Sequence, residues 1–524
     1  MSGCLRSDNS QLVRVVDAAS KVTEFEYEKG KLKTITDANL NTTTYDYDKL
    51  SRLETVHHPM GGTTSYTYYA DSLLHTKTDR KGQTTTFVYD KLKKLIEKLY
   101  PGAVKILYNY TGGLLSSVED QLASETTNFG YDSSYRMDSI SNPRGALSYA
   151  YTAADQVQTY QVNSDPLVTY GYYDDGSVRT ITKSGDQIRY YYTLNGQREQ
   201  VLYPNNARAD FSHDDQGRLT SIVNRRPDAS VLSSYTYGYD YDYSTSSYTM
   251  RGFRTSMTNY LSQVEKYYFD DLYQLTQVDY PTGDVHQWSY DDIGNRVQQI
   301  VTPYGQGPIV TNYTYYQNGQ GNNSQLLQSD GINTYTWDDN GNLATKGATN
   351  YTWDYENRLT GISTANASYA YDYVGRRTKK TVSGTETAYL YNSEDIVKET
   401  TGSLVTDYLH GIGIDEPVML DRSGAKSYYF RDGLGSIREI TDSAGTIQNS
   451  YIYGAWGEIL NQTTTVPNIY GYTAREFSED GLYFYRARYM DASIGRFISE
   501  DSFRFSAGIH LYQYVGNNPV KYDD

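Results

Sequence analysis

Tyrosine recurs at Tyr27, Tyr47, Tyr68, Tyr89, Tyr110, Tyr131, Tyr151 and Tyr172, always 20 or 21 residues apart. So regular a period marks a repeat architecture, in which each unit buries its apolar face only by stacking on its neighbours. Every unit has the same grammar. An alternating strand such as Thr43-Thr44-Tyr45-Asp46-Tyr47 leads through a turn into a second strand such as Arg52-Leu53-Glu54-Thr55-Val56. Period-two alternation puts Tyr45 and Tyr47 on one face and Thr44 and Asp46 on the other. The turns carry Asp, Gly, Asn or Ser, which suit tight reversals. One unit is a β-hairpin, and the chain reads as a string of them with almost no helix.

Composition fits that reading. Aromatic residues reach 14% through 59 Tyr, while hydrophobic residues are only 38%. Tyr joins an apolar ring to a polar tip, so it suits a large curved sheet whose faces are not both dry. A disordered chain would be poor in aromatics. Hairpin strings must also protect their edges, and right-handed strand twist makes a long ribbon curl, so a ribbon of this length closes only by spiralling.

The pattern drifts after Tyr172. It returns at Tyr290-Asp291-Asp292-Ile293-Gly294-Asn295-Arg296, at Trp337-Asp338-Asp339-Asn340-Gly341-Asn342 and at Trp353-Asp354-Tyr355-Glu356-Asn357-Arg358. Two softer stretches, Asp240 to Ser256 and Gly305 to Asn323, read as long loops between hairpins, or else as a domain boundary.

The formal charge of −16 argues against a nucleic-acid binder, which needs a basic footprint, and against docking to anionic membranes. No stretch approaches the ~20 apolar residues of a membrane span. With one cysteine, Cys4, no intrachain disulfide can form. No basic region or apolar run precedes Cys4, so Met1 reads as the start of a fragment and not as a lipoprotein leader.

The final stretch departs from the repeat. It reads GLYFYRARYMDASIGRFISEDSFRFSAGIHLYQYVGNNPVKYDD from Gly481 to Asp524. Upstream stand Phe430-Arg431-Asp432-Gly433-Leu434-Gly435-Ser436 and Tyr451-Ile452-Tyr453-Gly454-Ala455-Trp456-Gly457-Glu458. With the repeated Tyr-Asp turns, these motifs resemble bacterial RHS (YD-repeat) proteins and their core-associated segment. Ala455-Trp456 differs from that family's usual Pro-Phe. The resemblance implies a hollow β-shell of residues 1–388, closed by a core-associated segment over 389–524. It further implies an aspartyl self-cleavage site made of Arg488 of RARY, Asp501 after GRF, and Asp524 where the family's Asp-Pro-x-Gly-Leu begins. These residues lie 13 and 23 positions apart in the chain. Ser502 stands where the family often has Pro, and the bond cut in the family would lie beyond Asp524. The chemistry needs two carboxylates that cannot both ionise easily, one taking a proton from water while the other polarises a carbonyl. Asp491 and Glu500 are taken as dispensable acidic neighbours.

Other chemistries fare worse. His57 and His58 are adjacent on a predicted strand, so they face opposite ways and cannot share a metal. Asp338, Asn340 and Asn342 imitate the start of a calcium loop, but Gly341 falls at the fourth position and Thr349 at the twelfth. No phosphate loop, dinucleotide fingerprint or zinc-hydrolase motif occurs, and nothing singles out a carboxylate pair for glycoside hydrolysis. The expectation is therefore a secreted or cell-surface bacterial container for a C-terminal toxin, with no cofactor and no metal. The alternative is an adhesion module whose partner is a carbohydrate or a cell-surface receptor, held by Tyr-rich strands. A free-standing hydrolase comes last for want of a site.

Overall fold

The computed structural model describes the chain apart from residues 1–2, 7–9, 249–251, 507 and 523–524. Within each sheet most strands pair with the next in the chain. A ribbon of 29 antiparallel strands runs from Gly3–Arg6 to Ile309–Asn312, and a second of 14 from Tyr335–Trp337 to Ile459–Thr464. A four-stranded sheet comes next, built from Glu476–Phe477, Leu482–Tyr485, Arg488–Asp491 and Arg496–Phe497. Among the described residues, helix is confined to five single 3-10 turns. None is long and apolar enough to cross a membrane.

The Tyr register has a physical cause. Most repeat tyrosines close a strand and donate the hydroxyl to a backbone carbonyl of the preceding unit. Tyr47 reaches Leu32 O at 2.9 Å, Tyr68 reaches Leu53 O at 2.7 Å and Tyr110 reaches Leu95 O at 3.1 Å. Tyr131, Tyr192 and Tyr290 repeat the bond. Where Trp337 replaces Tyr, its indole N–H donates to Leu327 O at 2.7 Å. The next residue, Asp, caps the turn: Asp48 Oδ1 accepts the Leu50 and Arg52 amides, and Oδ2 accepts Arg52 Nε. Arg52 then lies 4.6 Å over the ring of Tyr68, one unit on. Arg136 over Tyr151 and Arg218 over Tyr239 repeat this at the same distance.

Both softer stretches contain strands. In the first, Tyr241–Asp242 pairs with Ser247–Tyr248 as a small outward hairpin, while Val231–Tyr239 pairs directly with Arg254–Asn259 behind it. In the second, the first ribbon ends at Ile309–Asn312, and a short hairpin, Thr314–Gln317 with Asn323–Ser329, leads towards the second ribbon. Their polar composition hid these strands from the periodicity.

The ribbon spirals. Asn39 donates to Asp291, 252 positions on. Asn340 donates to Asp79 across 261, Tyr149 to Asn392 across 243, and Tyr203 to the Tyr429 carbonyl across 226. Near the end, the Ala455 amide donates to Tyr280 across only 175. Beyond the pair at 261 the separation falls, so later turns of the spiral use less chain and the shell tapers. In the second ribbon alternate residues serve both sides. Tyr389 and Tyr391 enter a core shared with residues of the terminal segment such as Tyr472 and Tyr485. Leu390 between them joins a core shared with first-ribbon residues such as Ile181 and Ile188. The face that carries Leu390 thus packs on the first ribbon, while the opposite, inner face packs on the terminal segment together with later first-ribbon residues such as Tyr237 and Trp288.

Candidate functional site

The terminal segment is riveted by buried cations. Arg377 of the second ribbon pairs with Glu476 at 2.7 Å and lies 4.8 Å over the Phe484 ring and 5.3 Å over that of Tyr369. Arg496 lies over Tyr315 and Tyr512 at 5.5 and 5.1 Å. The run Asn517-Asn518-Pro519 is an anchor. Asn517 Nδ2 donates to Gln274 Oε1 and Gly294 O, both at 2.8 Å, and Asn518 Nδ2 donates to Tyr273 O at 3.0 Å. The Pro519 carbonyl accepts from Tyr472 at 2.9 Å. The family motif is here a set of bonds that fix this run against the first ribbon.

Within this frame, Arg488 and Asp501 meet. Arg488 opens the strand Arg488–Asp491 and is buried, its guanidinium 3.6 Å above the ring of Phe497. Its Nη1 lies 3.1 Å from Asp501 Oδ2 and donates to Leu511 O at 3.4 Å. Asp501 Oδ1 accepts the Phe503 amide at 2.8 Å, and the Asp501 amide donates to Leu511 O at 2.9 Å. Both carboxylate oxygens therefore face donors. Asp524, the third expected residue, lies outside the described residues.

The supposed bystanders carry structural load. Asp491 is fully buried, pairs with Lys346 at 2.8 Å and accepts the Ser493 amide. Glu500 bridges Arg80 at 2.9 Å and Arg504 at 3.1 Å, tying the terminal segment to the first ribbon. Neither is a neutral control. Beside the Arg488–Asp501 pair, and sharing Leu511 with it, lies a cavity of about 60 Å³ whose apolar walls include Ile35, Met60, Leu326 and Tyr512.

The remaining motifs resolve as structure. His57 contacts Asp46 at 2.7 Å on an exposed face, whereas His58 is buried and its Nδ1 lies 2.9 Å from Arg504. Burial, with Arg504 and Arg80 nearby, pushes the His58 pKa down to about 2. Asp338 accepts the Asn342 amide and pairs with Lys81 at 2.6 Å, so the calcium-like run is a repeat turn with a lysine at its carboxylate. Gly341 in that turn has φ +82° and abuts Tyr512, which donates to its carbonyl at 2.8 Å. Among the described residues no three His, Cys, Asp or Glu side chains are grouped to hold a metal.

Comparison with known proteins bears on this frame. The family model described as Teneurin YD-shell matches residues 310–520. The tRNA nuclease WapA of Bacillus subtilis is 29% identical over 272 residues, which cover 48% of this chain and 11% of that protein. Over its whole length this chain superposes on the crystal structure of TcdB2-TccC3 without its hypervariable C-terminal region, with a TM-score of 0.84 at 18% identity, covering 31% of that chain. The chain is an RHS/YD-repeat shell protein. This YD-shell protein also resembles the double-stranded DNA deaminase toxin A of Burkholderia cenocepacia, 30% identical over 110 residues, 20% of this chain and 8% of that one. It spans about a tenth of the length of the curated relatives it matches.

Proposed function

We propose that this YD-shell protein is part of the wall of a secreted toxin container, with residues 1–388 as shell and 389–524 as the core-associated segment. In this reading it encloses a C-terminal toxin domain and severs it once, by its own aspartyl chemistry. The observation that carries the reading is the Arg488–Asp501 pair, held at 3.1 Å on a terminal segment that covers the inner face of the second ribbon. The relatives' names support it too. Proteins named as a tRNA nuclease and as a DNA deaminase toxin each match part of this chain, which fits a chain that carries a chemistry and does not perform it.

Each residue then has a role. Asp501, held by Arg488, takes a proton from the attacking water. Asp524 is the protonated member and gives its proton to the scissile carbonyl oxygen. As the tetrahedral intermediate collapses, one of its hydroxyls returns a proton to Asp524, the C–N bond breaks, and the amine leaves with the proton held by Asp501. Water is the only co-reactant. Arg488 fixes which carboxyl is ionised.

The test extends the chain from Asp524 by Pro-x-Gly-Leu and a reporter domain and tracks intact mass. Scission near the Leu is expected during folding. Asp501→Asn and Asp524→Asn abolish it, and Arg488→Ala slows it at least tenfold, about 1.4 kcal/mol in barrier. Ser502→Ala, at an exposed position beside the site, cuts normally. A folded fusion that stays intact at every pH from about 4 to 8 would overturn the site.

The repeat rings offer little to the adhesion reading, because their hydroxyls are spent on backbone carbonyls of the ribbon.

A further inference from the structure

Opposite the repeat tyrosine most units set an apolar residue, as Leu53 faces Tyr47 and Leu74 faces Tyr68. Four units set an arginine there instead, and three of the four find an oxygen to meet it. Arg198, opposite Tyr192, pairs with buried Glu416 at 2.6 Å. Arg377, opposite Tyr371, pairs with buried Glu476 at 2.7 Å. Arg254, opposite Tyr239, is half-buried and donates to the Gly433 carbonyl at 3.3 Å. Arg296, opposite Tyr290, is the fourth. The capping acid of its turn, Asp291, is held by Asn295 at 2.9 Å, one residue before Arg296.

Arg296 is only 6% exposed, and among the described residues nothing accepts a hydrogen bond from its Nε or Nη2. Its guanidinium lies 4.3 Å over the ring of Trp456, with Trp288 and Tyr313 at 5.8 and 5.9 Å. The two indole rings are 6.1 Å apart, and both of their N–H groups are buried without an acceptor as well. Gly495, at φ +63°, closes the stack, since a Cβ there would collide with Arg296 Nη2 and with the Trp456 ring. Glu458 is near enough to feel the Arg296 charge, but its carboxylate accepts the Trp456 amide at 3.0 Å.

A dry guanidinium is costly unless a negative charge meets it, and aromatic rings recover only part of that cost. The unpaired N–H groups add the loss of their own hydrogen bonds. One small anion answers both. A divalent ion would face Glu458 with a single guanidinium to balance it, and the close approach of Gly495 selects against a bulky one. We propose that this stack binds a chloride ion, held by Arg296 Nε and Nη2 and by the indole N–H groups of Trp288 and Trp456. The ion does for Arg296 what Glu416 and Glu476 do for Arg198 and Arg377. It sits where the first ribbon, the Trp456 turn and the terminal segment meet, so it ties the three together. The site is separate from Asp501 and does not rest on the cleavage reading.

Thermal melts of the full chain at constant ionic strength, with chloride replacing gluconate from about 1 to 100 mM, read the site. Above its Kd, each tenfold in chloride raises the parent's melting temperature by about 1 °C. Arg296→Met keeps the length of the side chain without its charge and loses that rise. Trp288→Phe and Trp456→Phe keep a ring without the N–H and raise the chloride Kd about threefold or more. Asp501→Asn responds as the parent does. Crystals grown in bromide place an anomalous peak within hydrogen-bond reach of Arg296 Nε or Nη2. Melts indifferent to chloride, a rise that survives in Arg296→Met, a Kd unmoved in both tryptophan variants, or no bromide beside Arg296 would each overturn the proposal.

Discussion

At the scale of the residue, tyrosine does two jobs here, and they separate experimentally. The ring fills a strand face and the hydroxyl ties one unit to the last. Tyr68→Phe keeps the ring and loses the bond to Leu53 O, at a cost of about 1 kcal/mol. Tyr304→Phe, at a side chain 77% exposed, costs nothing measurable, and chemical denaturation of the two variants reads the difference. The register was legible because an identical side chain marks it. The bond was not, because its acceptor is a backbone carbonyl that any residue supplies. The Asp-to-Arg clamp does leave a signal in the sequence, one that the Tyr period masks: Asp48 with Arg52, Asp132 with Arg136 and Asp214 with Arg218 all keep one spacing. Half-buried acids also set a pH dependence. Burial raises Glu439 and Glu458 from 4.5 to about 7, although Ser233 and Tyr235 donate to Glu439, and the Trp456 amide donates to Glu458. Their folded pKa lies above the unfolded value. The stability they contribute is full below pH 4.5 and is lost as pH rises through about 7, by up to ~3 kcal/mol each. Thermal melts at pH 5 and 8 should show the parent losing more than Glu439→Gln.

At the scale of the element, the terminal segment is a lining and an anchor at once. Its aromatic side chains cover the inner face of the second ribbon, and Asn517 and Asn518 bind it to the first. A chain ending before residue 470 leaves that face bare. It should bind a hydrophobic dye and aggregate, which light scattering reads directly. A truncated chain that stayed monomeric with full β signal would show that the lining is dispensable. Arg377→Ala leaves Glu476 buried without its partner and should cost about 3–5 kcal/mol. Arg377→Met, which refills the aromatic cage without a charge, should cost more than a surface change but still permit folding. That the terminal segment differs from the repeat was plain from its Arg, Gly and Asp content. That Asp491 and Glu500 hold it in place was not, because their partners Lys346 and Arg80 lie far off in the chain and carry no motif.

At the scale of the molecule, strand twist and pairing of neighbours give a ribbon, but closure needs contacts between residues some 250 positions apart, such as Asn39 with Asp291. Periodicity cannot report these, since a repeated turn residue such as Asp291 does not say which distant unit it meets. Curling was therefore legible, while the taper from 252 to 175 residues per turn was not. The taper draws the wall in towards the terminal segment, where Asn517 and Asn518 are fixed. The central claim is that this wall encloses a domain joined to its C-terminal side. Protease protection of the extended chain, assayed on the native particle by gel filtration and mass spectrometry, tests that most directly. The account predicts that the severed reporter co-elutes with the shell one to one and resists a protease that digests the free reporter, until the shell is denatured. A reporter that elutes alone, or is digested at its free rate while the shell stays folded, would contradict it.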